Sequence, residues 1–149
     1  MSKLLDINAW LALFLEGHAQ HSAARTWYEG TELLAGDLKF CRPTEMGLLR
    51  LLTQKKVMQA CLAQTFSNES AAQFLADVWR DEVVGITYEV PGTRALWLAL
   101  ARSSQPSPNQ WMDAYLAAMA ITNDLQMVTF DQGFVDYEGS GLHLQLLTD

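Results

Sequence analysis

Residues Trp111–Phe134 read WMDAYLAAMAITNDLQMVTFDQGF, and this stretch decides the fold. Its first half carries helical periodicity: Trp111, Ala114, Tyr115, Ala118 and Ile121 recur three or four apart on one broad face. Asp113 falls in the first turn, after the loop signal Gln105-Pro106-Ser107-Pro108-Asn109. An anion there faces the positive end of the helix dipole. Asp113, Ala117 and Ala120 share a face whose small residues let the helix lie close to a sheet. Asn123-Asp124 turns the chain, and Leu125–Phe130 is an apolar run that fits a buried strand, with Asp131 where the strand stops. A helix start and a strand end thus each carry an acid, 18 positions apart. In an open parallel sheet, strand ends and the starts of the following helices lie on one edge, where ligands bind. Asp113 and Asp131 are therefore expected to face one cleft.

The rest of the chain repeats this arrangement. Lys3-Leu4-Leu5 is a short strand ending at Asp6, and Asn8 is predicted to cap a helix over Ala9–Glu16. Ser22–Glu29 reads as a short helix, and Leu33–Gly36 as a small strand or turn. Leu38–Cys41 is the next strand, after which Arg42-Pro43-Thr44-Glu45 opens a strongly apolar helix. Helical pattern continues over Lys55–Thr65 and Ala71–Arg80. Val83–Glu89 reads as a strand, Thr93 as the cap of a helix over Arg94–Arg102, and Leu142–Leu147 as a last, edge-like strand. Strands and helices alternate, with a helical insertion in the middle. That pattern predicts an α/β sandwich of three layers on a mostly parallel sheet.

A chain of 149 residues, half of them hydrophobic and 18% charged, is expected to form a single domain over residues 1–149. No apolar run reaches transmembrane length and Met1-Ser2-Lys3 opens no signal-peptide pattern, which points to a cytoplasmic protein. Cys41 and Cys61 lack metal-ligand spacing and read as reduced, buried thiols. His18 and His21 have no third ligand nearby and read as polar surface. The net charge of −7 argues against a protein that coats nucleic acid, though not against an enzyme acting on it. Arg42, Arg50, Lys55 and Lys56 are the densest basic group and the candidate guide for a phosphate backbone.

Asp6, Glu45, Asp113 and Asp131 all fall at strand ends or helix starts. Four carboxylates in one cleft repel or become protonated unless cations are present. Mg²⁺ or Mn²⁺ resolves the conflict, because hard divalent ions prefer oxygen ligands and retain exchangeable waters. Such a cluster suits phosphodiester hydrolysis. Competing chemistries lack their residues. Asn8 stands where an aspartyl-phosphate phosphatase needs a second acid. Neither a glycine-rich phosphate loop nor a serine-hydrolase elbow is present.

The blocks Leu4-Leu5-Asp6-Ile7-Asn8, Thr44-Glu45 with Leu49–Thr53, Asp113–Ala120 and Val128–Phe134 together resemble a PIN domain, and more narrowly the VapC toxins of bacterial type II toxin–antitoxin pairs. The resemblance spans nearly the whole chain. It implies a Mg²⁺- or Mn²⁺-dependent endoribonuclease acting on structured RNA (tRNA or rRNA), a VapB-like antitoxin partner, and a homodimer. By position, Asp6, Glu45, Asp113 and Asp131 would form the acidic, metal-binding quartet, with Asn8 and Thr129 as polar support. Arg50 would either support Glu45 or meet RNA. Gly133 stands where family members often carry a further Asp, which removes an auxiliary acid. The alternatives are a PIN-fold module that binds RNA or a partner without cutting, and a DNA-directed nuclease.

Overall fold

Leu4 and Leu5 are both fully buried although they are neighbours on one strand. Successive side chains of a strand point to opposite faces, so this strand has a core on each side. It is β1 (Lys3–Leu5), and in the computed structural model, which describes residues 1–149, it lies at the centre of the sheet. The other strands are β2 (Leu38–Phe40), β3 (Val84–Ile86), β4 (Gln126–Thr129) and β5 (His143–Leu146). All pair in parallel, in the order β3-β2-β1-β4-β5.

The helices complete three layers. Leu5, Leu38, Phe40 and Val128 point into one core, with Trp10, Leu13, Leu48, Leu52 and Met58 from α1 (Ile7–Phe14), α3 (Arg42–Leu52) and α4 (Lys55–Ala60). α2 (His21–Glu29) and α5 (Asn68–Val78) cover its outside through Ala24, Ala71 and Val78. Leu4 and Met127 point into the other core, against Ala114, Leu116, Ala117 and Ala120 of α7 (Gln110–Thr122). α6 (Thr93–Leu100) packs beside α7, and a 3₁₀ segment over Gln132–Ser140 brings in Phe134 and Tyr137. The apolar alternation within β1 and β4 therefore assigns the two faces directly.

Element boundaries shift where hydrogen bonding overrides pattern. α1 starts at Ile7, because the Asp6 carboxylate accepts the Ile7 N–H and caps it; Asn8 is exposed in the first turn and is not the cap. α4 stops at Ala60 rather than Thr65, since Leu62 takes a positive φ of 55° and turns the chain. Gly17 lies against this turn so closely that a Cβ would sit 1.9 Å from the Cys61 carbonyl oxygen, a position only glycine can fill. β3 ends at Ile86, three residues short of Glu89, because its partner β2 ends at Phe40 and only Thr87 N–H still reaches the Phe40 carbonyl. α6 is entered through Gly92 at φ 96°, and Thr93 is its first residue instead of its cap. The Thr93 hydroxyl accepts the Val90 N–H and bonds Thr122 of α7. Trp111 leaves the face expected of it and is 54% exposed. It stands in the first turn of α7, where its carbonyl and ring meet Trp97 rather than the core. No helix is long and apolar enough to cross a membrane.

Candidate active site

The parallel sheet ends its strands on one edge, and the chain places its acids there. Asp6 follows β1 and is nearly buried. Its Oδ1 accepts the Ile7 N–H at 2.7 Å and its Oδ2 accepts the Thr129 hydroxyl at 2.8 Å. Thr129, the last residue of β4, is fully buried, and its hydroxyl oxygen in turn accepts the Asp131 N–H at 2.9 Å. One side chain thus ties the ends of β1 and β4 together. Asp131 is exposed; its Oδ1 accepts the Gly133 N–H at 2.8 Å and caps the 3₁₀ segment. A side chain at residue 133 would bring its Cβ to 3.1 Å from that oxygen, so glycine leaves room for the Asp131 carboxylate. Asp113 projects from the first turn of α7 and is partly exposed.

The charges of Asp6 and Asp131 act on Asp113, and that of Asp131 acts on Asp6. Burial pushes the Asp113 carboxyl up to about 6, and the charges of Asp131 and Asp6 push in the same direction. Burial also raises Asp6, the Thr129 and Ile7 hydrogen bonds oppose it, and Asp131 adds to the rise. Tyr137, which the sequence pattern did not single out, stands beside this group. Its phenol is raised by burial first, then by the charge of Asp113, with Asp131 contributing less.

Glu45 is placed differently. It is buried in the first turn of α3, and both oxygens are engaged. Oε1 pairs with the Arg42 guanidinium and Oε2 accepts the Trp79 indole N–H at 3.0 Å. It is not among the charges that raise Asp6 or Asp113. The structure gathers three of the four expected acids and holds the fourth in a clamp of its own. No three acid, histidine or cysteine side chains converge closely enough to enclose a metal ion. The donor set itself, three carboxylates with only oxygens at their tips, fits a hard divalent ion.

The remaining expectations divide. Thr129 has the supporting contact that the resemblance implied. Asn8 lies on the same edge but its side chain makes no hydrogen bond, and Arg42, not Arg50, holds Glu45. Arg50 is exposed in the last turn of α3, eight residues from Arg42 along the same helix, a rise of about 12 Å. It borders a shallow cleft with Thr53 and Asn68, so Arg42, Arg50, Lys55 and Lys56 do not form one patch at the acids. His18 accepts the Gln20 N–H and His21 bonds the Ala12 carbonyl, which ties down their connection. Cys41 and Cys61 are free and buried.

Thr129→Val keeps the shape of the side chain but removes the donor to Asp6 and the acceptor for Asp131. The expected loss is about 1–3 kcal/mol of stability, because both partners are left unsatisfied near the core. Urea unfolding checks this, and an unchanged midpoint would mean that the bridge contributes nothing.

The PIN domain family model matches residues 3–139. Ribonuclease VapC41 of Mycobacterium tuberculosis is 42% identical over 142 residues, covering 95% of this chain and 97% of the relative. Ribonuclease VapC44 of the same organism is 31% identical over 135 residues, covering 89% and 87% of the two chains. Among solved structures, VapBC-1 from nontypeable Haemophilus influenzae superimposes with a TM-score of 0.63 at 14% identity, covering 98% of each chain. Mycobacterium tuberculosis VapC20, a sarcin–ricin-loop-cleaving toxin, superimposes with a TM-score of 0.60 at 18% identity, covering 95% of this chain and 96% of its own. At those identities the structural likeness is one of fold.

Proposed function

The chain belongs to the PIN-domain family, and from that premise we propose that it is a VapC-type endoribonuclease toxin that hydrolyses structured RNA with Mg²⁺ or Mn²⁺. The observation that carries this reading is the meeting of Asp6, Asp113 and Asp131 on the carboxyl edge of the sheet, where the charges of Asp6 and Asp131 act on Asp113. Asp6, Asp113 and Asp131 would hold the cation, with Glu45 at the side of the site. When bound, a divalent ion supplies positive charge for the phosphate and lowers the pKa of water.

The chain's own residues provide the frame. Asp6 is fixed at both oxygens, by the Ile7 N–H and by Thr129, so its carboxylate is oriented before substrate arrives. Arg42, whose side chain is 62% exposed, is the cation at the site available to a phosphate oxygen of the RNA backbone. Glu45 would bind a metal-bound water or position the attacking one once Arg42 turns from its Oε1 to a phosphate. The water oxygen bonds to phosphorus as the bond to the 3′ oxygen breaks, and the products carry 5′-phosphate and 3′-hydroxyl ends.

As a toxin of this type the protein would act on tRNA or rRNA in the cytoplasm. It would work as a single PIN domain over residues 1–149, pair with a second copy, and be inhibited by a VapB-like antitoxin. The test is to incubate purified protein with total RNA over a titration of Mg²⁺ and Mn²⁺ and to map the ends by sequencing. Discrete, metal-dependent cuts with 5′-phosphate ends are expected. Absence of both cuts and divalent binding favours a PIN-fold binding module. Cleavage of matched single-stranded DNA instead of RNA favours a DNA nuclease, and either result overturns the proposal.

A further inference from the structure

Glu45 and Trp79 are 34 residues apart, yet the indole N–H donates to Glu45 Oε2 at 3.0 Å. Trp79 is the residue just past α5, at the end of the helical insertion formed by α4 and α5, which contributes no acid to the site. The residue is 37% exposed, but the orientation of its ring comes from the core. Trp79 stacks on Phe40 at 6.2 Å between ring centres, and Phe40 stacks on Trp10 at 3.8 Å. Trp10 and Phe40 are fully buried. Trp79 is therefore the outer member of a rigid aromatic column, and its N–H points at a carboxylate that is itself nearly buried.

The two partners of Glu45 differ in kind. Arg42 is an exposed cation that an RNA phosphate can draw away, whereas Trp79 is held by its packing on Phe40. With one oxygen anchored by the indole, Glu45 keeps its place when Arg42 turns to a phosphate and its Oε1 becomes free toward the site.

We propose that Trp79 is a positioning residue, acting through its hydrogen bond to Glu45, that holds this carboxylate in register with the three aspartates. The inference rests on the ribonuclease reading above and assigns a role to the insertion within it.

Trp79→Phe retains one aromatic ring to stack on Phe40 and removes the N–H together with part of the indole. At saturating RNA and Mn²⁺ the cleavage rate is expected to fall about tenfold, the usual scale for losing the partner that orients a site carboxylate. KM for RNA should change by less than about twofold, because the ring touches Glu45 and not the substrate. In a Glu45→Ala background, followed under single-turnover conditions, Trp79→Phe should cost nothing further. A tenfold loss in both backgrounds, or none in the wild type, overturns the proposal. A second readout does not depend on cleavage. In ¹⁵N spectra the indole N–H peak of Trp79, identified by its absence in Trp79→Phe, should shift upfield in Glu45→Ala while the other tryptophan indole peaks stay in place. A stationary peak means that the bond is absent, and the proposal fails even if the protein cuts RNA. If the peak moves but the wild type cuts no RNA, the ribonuclease reading fails and the catalytic role falls with it. Thermal unfolding of Trp79→Phe close to that of the wild type excludes a general loss of fold.

Discussion

Asp6→Asn lowers RNA cleavage by on the order of 10²-fold or more and leaves the protein folded. Losing a residue that merely orients a metal ligand costs 10–100-fold, and Asp6 is placed to be a ligand itself, so its loss belongs at or beyond the top of that range. The fold survives because asparagine keeps what the fold uses. Its amide oxygen still accepts the Ile7 N–H that Asp6 Oδ1 accepts, and Asn and Asp cap helices about equally well. The amide NH₂ then faces the Thr129 hydroxyl, which has a second lone pair beside the one that takes the Asp131 N–H. Removing a charge that burial already disfavours offsets part of the lost hydrogen bond. Initial rates with Mn²⁺ and with Mg²⁺, beside a circular-dichroism melt of each protein, measure both halves. Cleavage within about threefold of wild type would remove Asp6 from the machinery.

Asp113→Asn separates stability from activity. The folded carboxyl is raised from 3.8 to about 6, chiefly by burial and then by Asp131 and Asp6. Between those two values the folded state holds a proton that the unfolded chain has released, so stability falls as pH rises through that window, and the full penalty stands above it. Asparagine has no charge to disfavour. Without divalent ions the variant should therefore melt higher than wild type at pH 7.5, and the gap should close toward pH 4. The same change removes an acid from the cation site, so cleavage falls steeply, again by roughly 10²-fold. Mn²⁺ should raise the melting temperature of the wild type more than that of the variant, since an ion that binds only the folded state stabilises it by mass action. A variant that melts no higher at pH 7.5 would show that Asp113 carries no such penalty. Such a stability gain with a loss of activity is what a strained functional carboxylate produces.

The reading of Trp111–Phe134 as a helix start and a strand end on one edge was sufficient to bring Asp113 and Asp131 together, and β1 ending at Asp6 added the third acid. These follow from period, caps and the parallel-sheet rule, all of which are local or topological. Thr129 needed the family resemblance, because nothing in a buried strand end distinguishes a threonine that bridges two strands from one that only packs.

Glu45 shows where local pattern stopped. An acid in the first turn of a helix is visible along the chain, and so is Arg42 three residues before it. Trp79 is not, since its indole reaches Glu45 only after α3 and α5 have packed and Phe40 has set the plane of the ring. For Arg50 the sequence leaves open a contact to Glu45 or to RNA, and the geometry of the helix removes the first. Five residues put it well around the cylinder from Glu45, while three put Arg42 on the same side. Trp111 belonged to the apolar face by spacing, but its turn lies against α6, and its neighbour Trp97 took both its carbonyl and its ring.

By itself, then, the sequence determined the alternation of strands and helices, the parallel sheet, the two-sided burial of the central strands and the edge on which Asp6, Asp113 and Asp131 stand. Each of these is encoded in spacing and in residues adjacent along the chain. Only the tertiary structure decided which groups hold those acids: Thr129 across 123 residues from Asp6, Trp79 across 34 from Glu45, and Arg42 rather than Arg50. A hydrogen-bond partner is chosen by distance and direction between segments that meet only when both cores are packed, and neither quantity is written in the order of the residues.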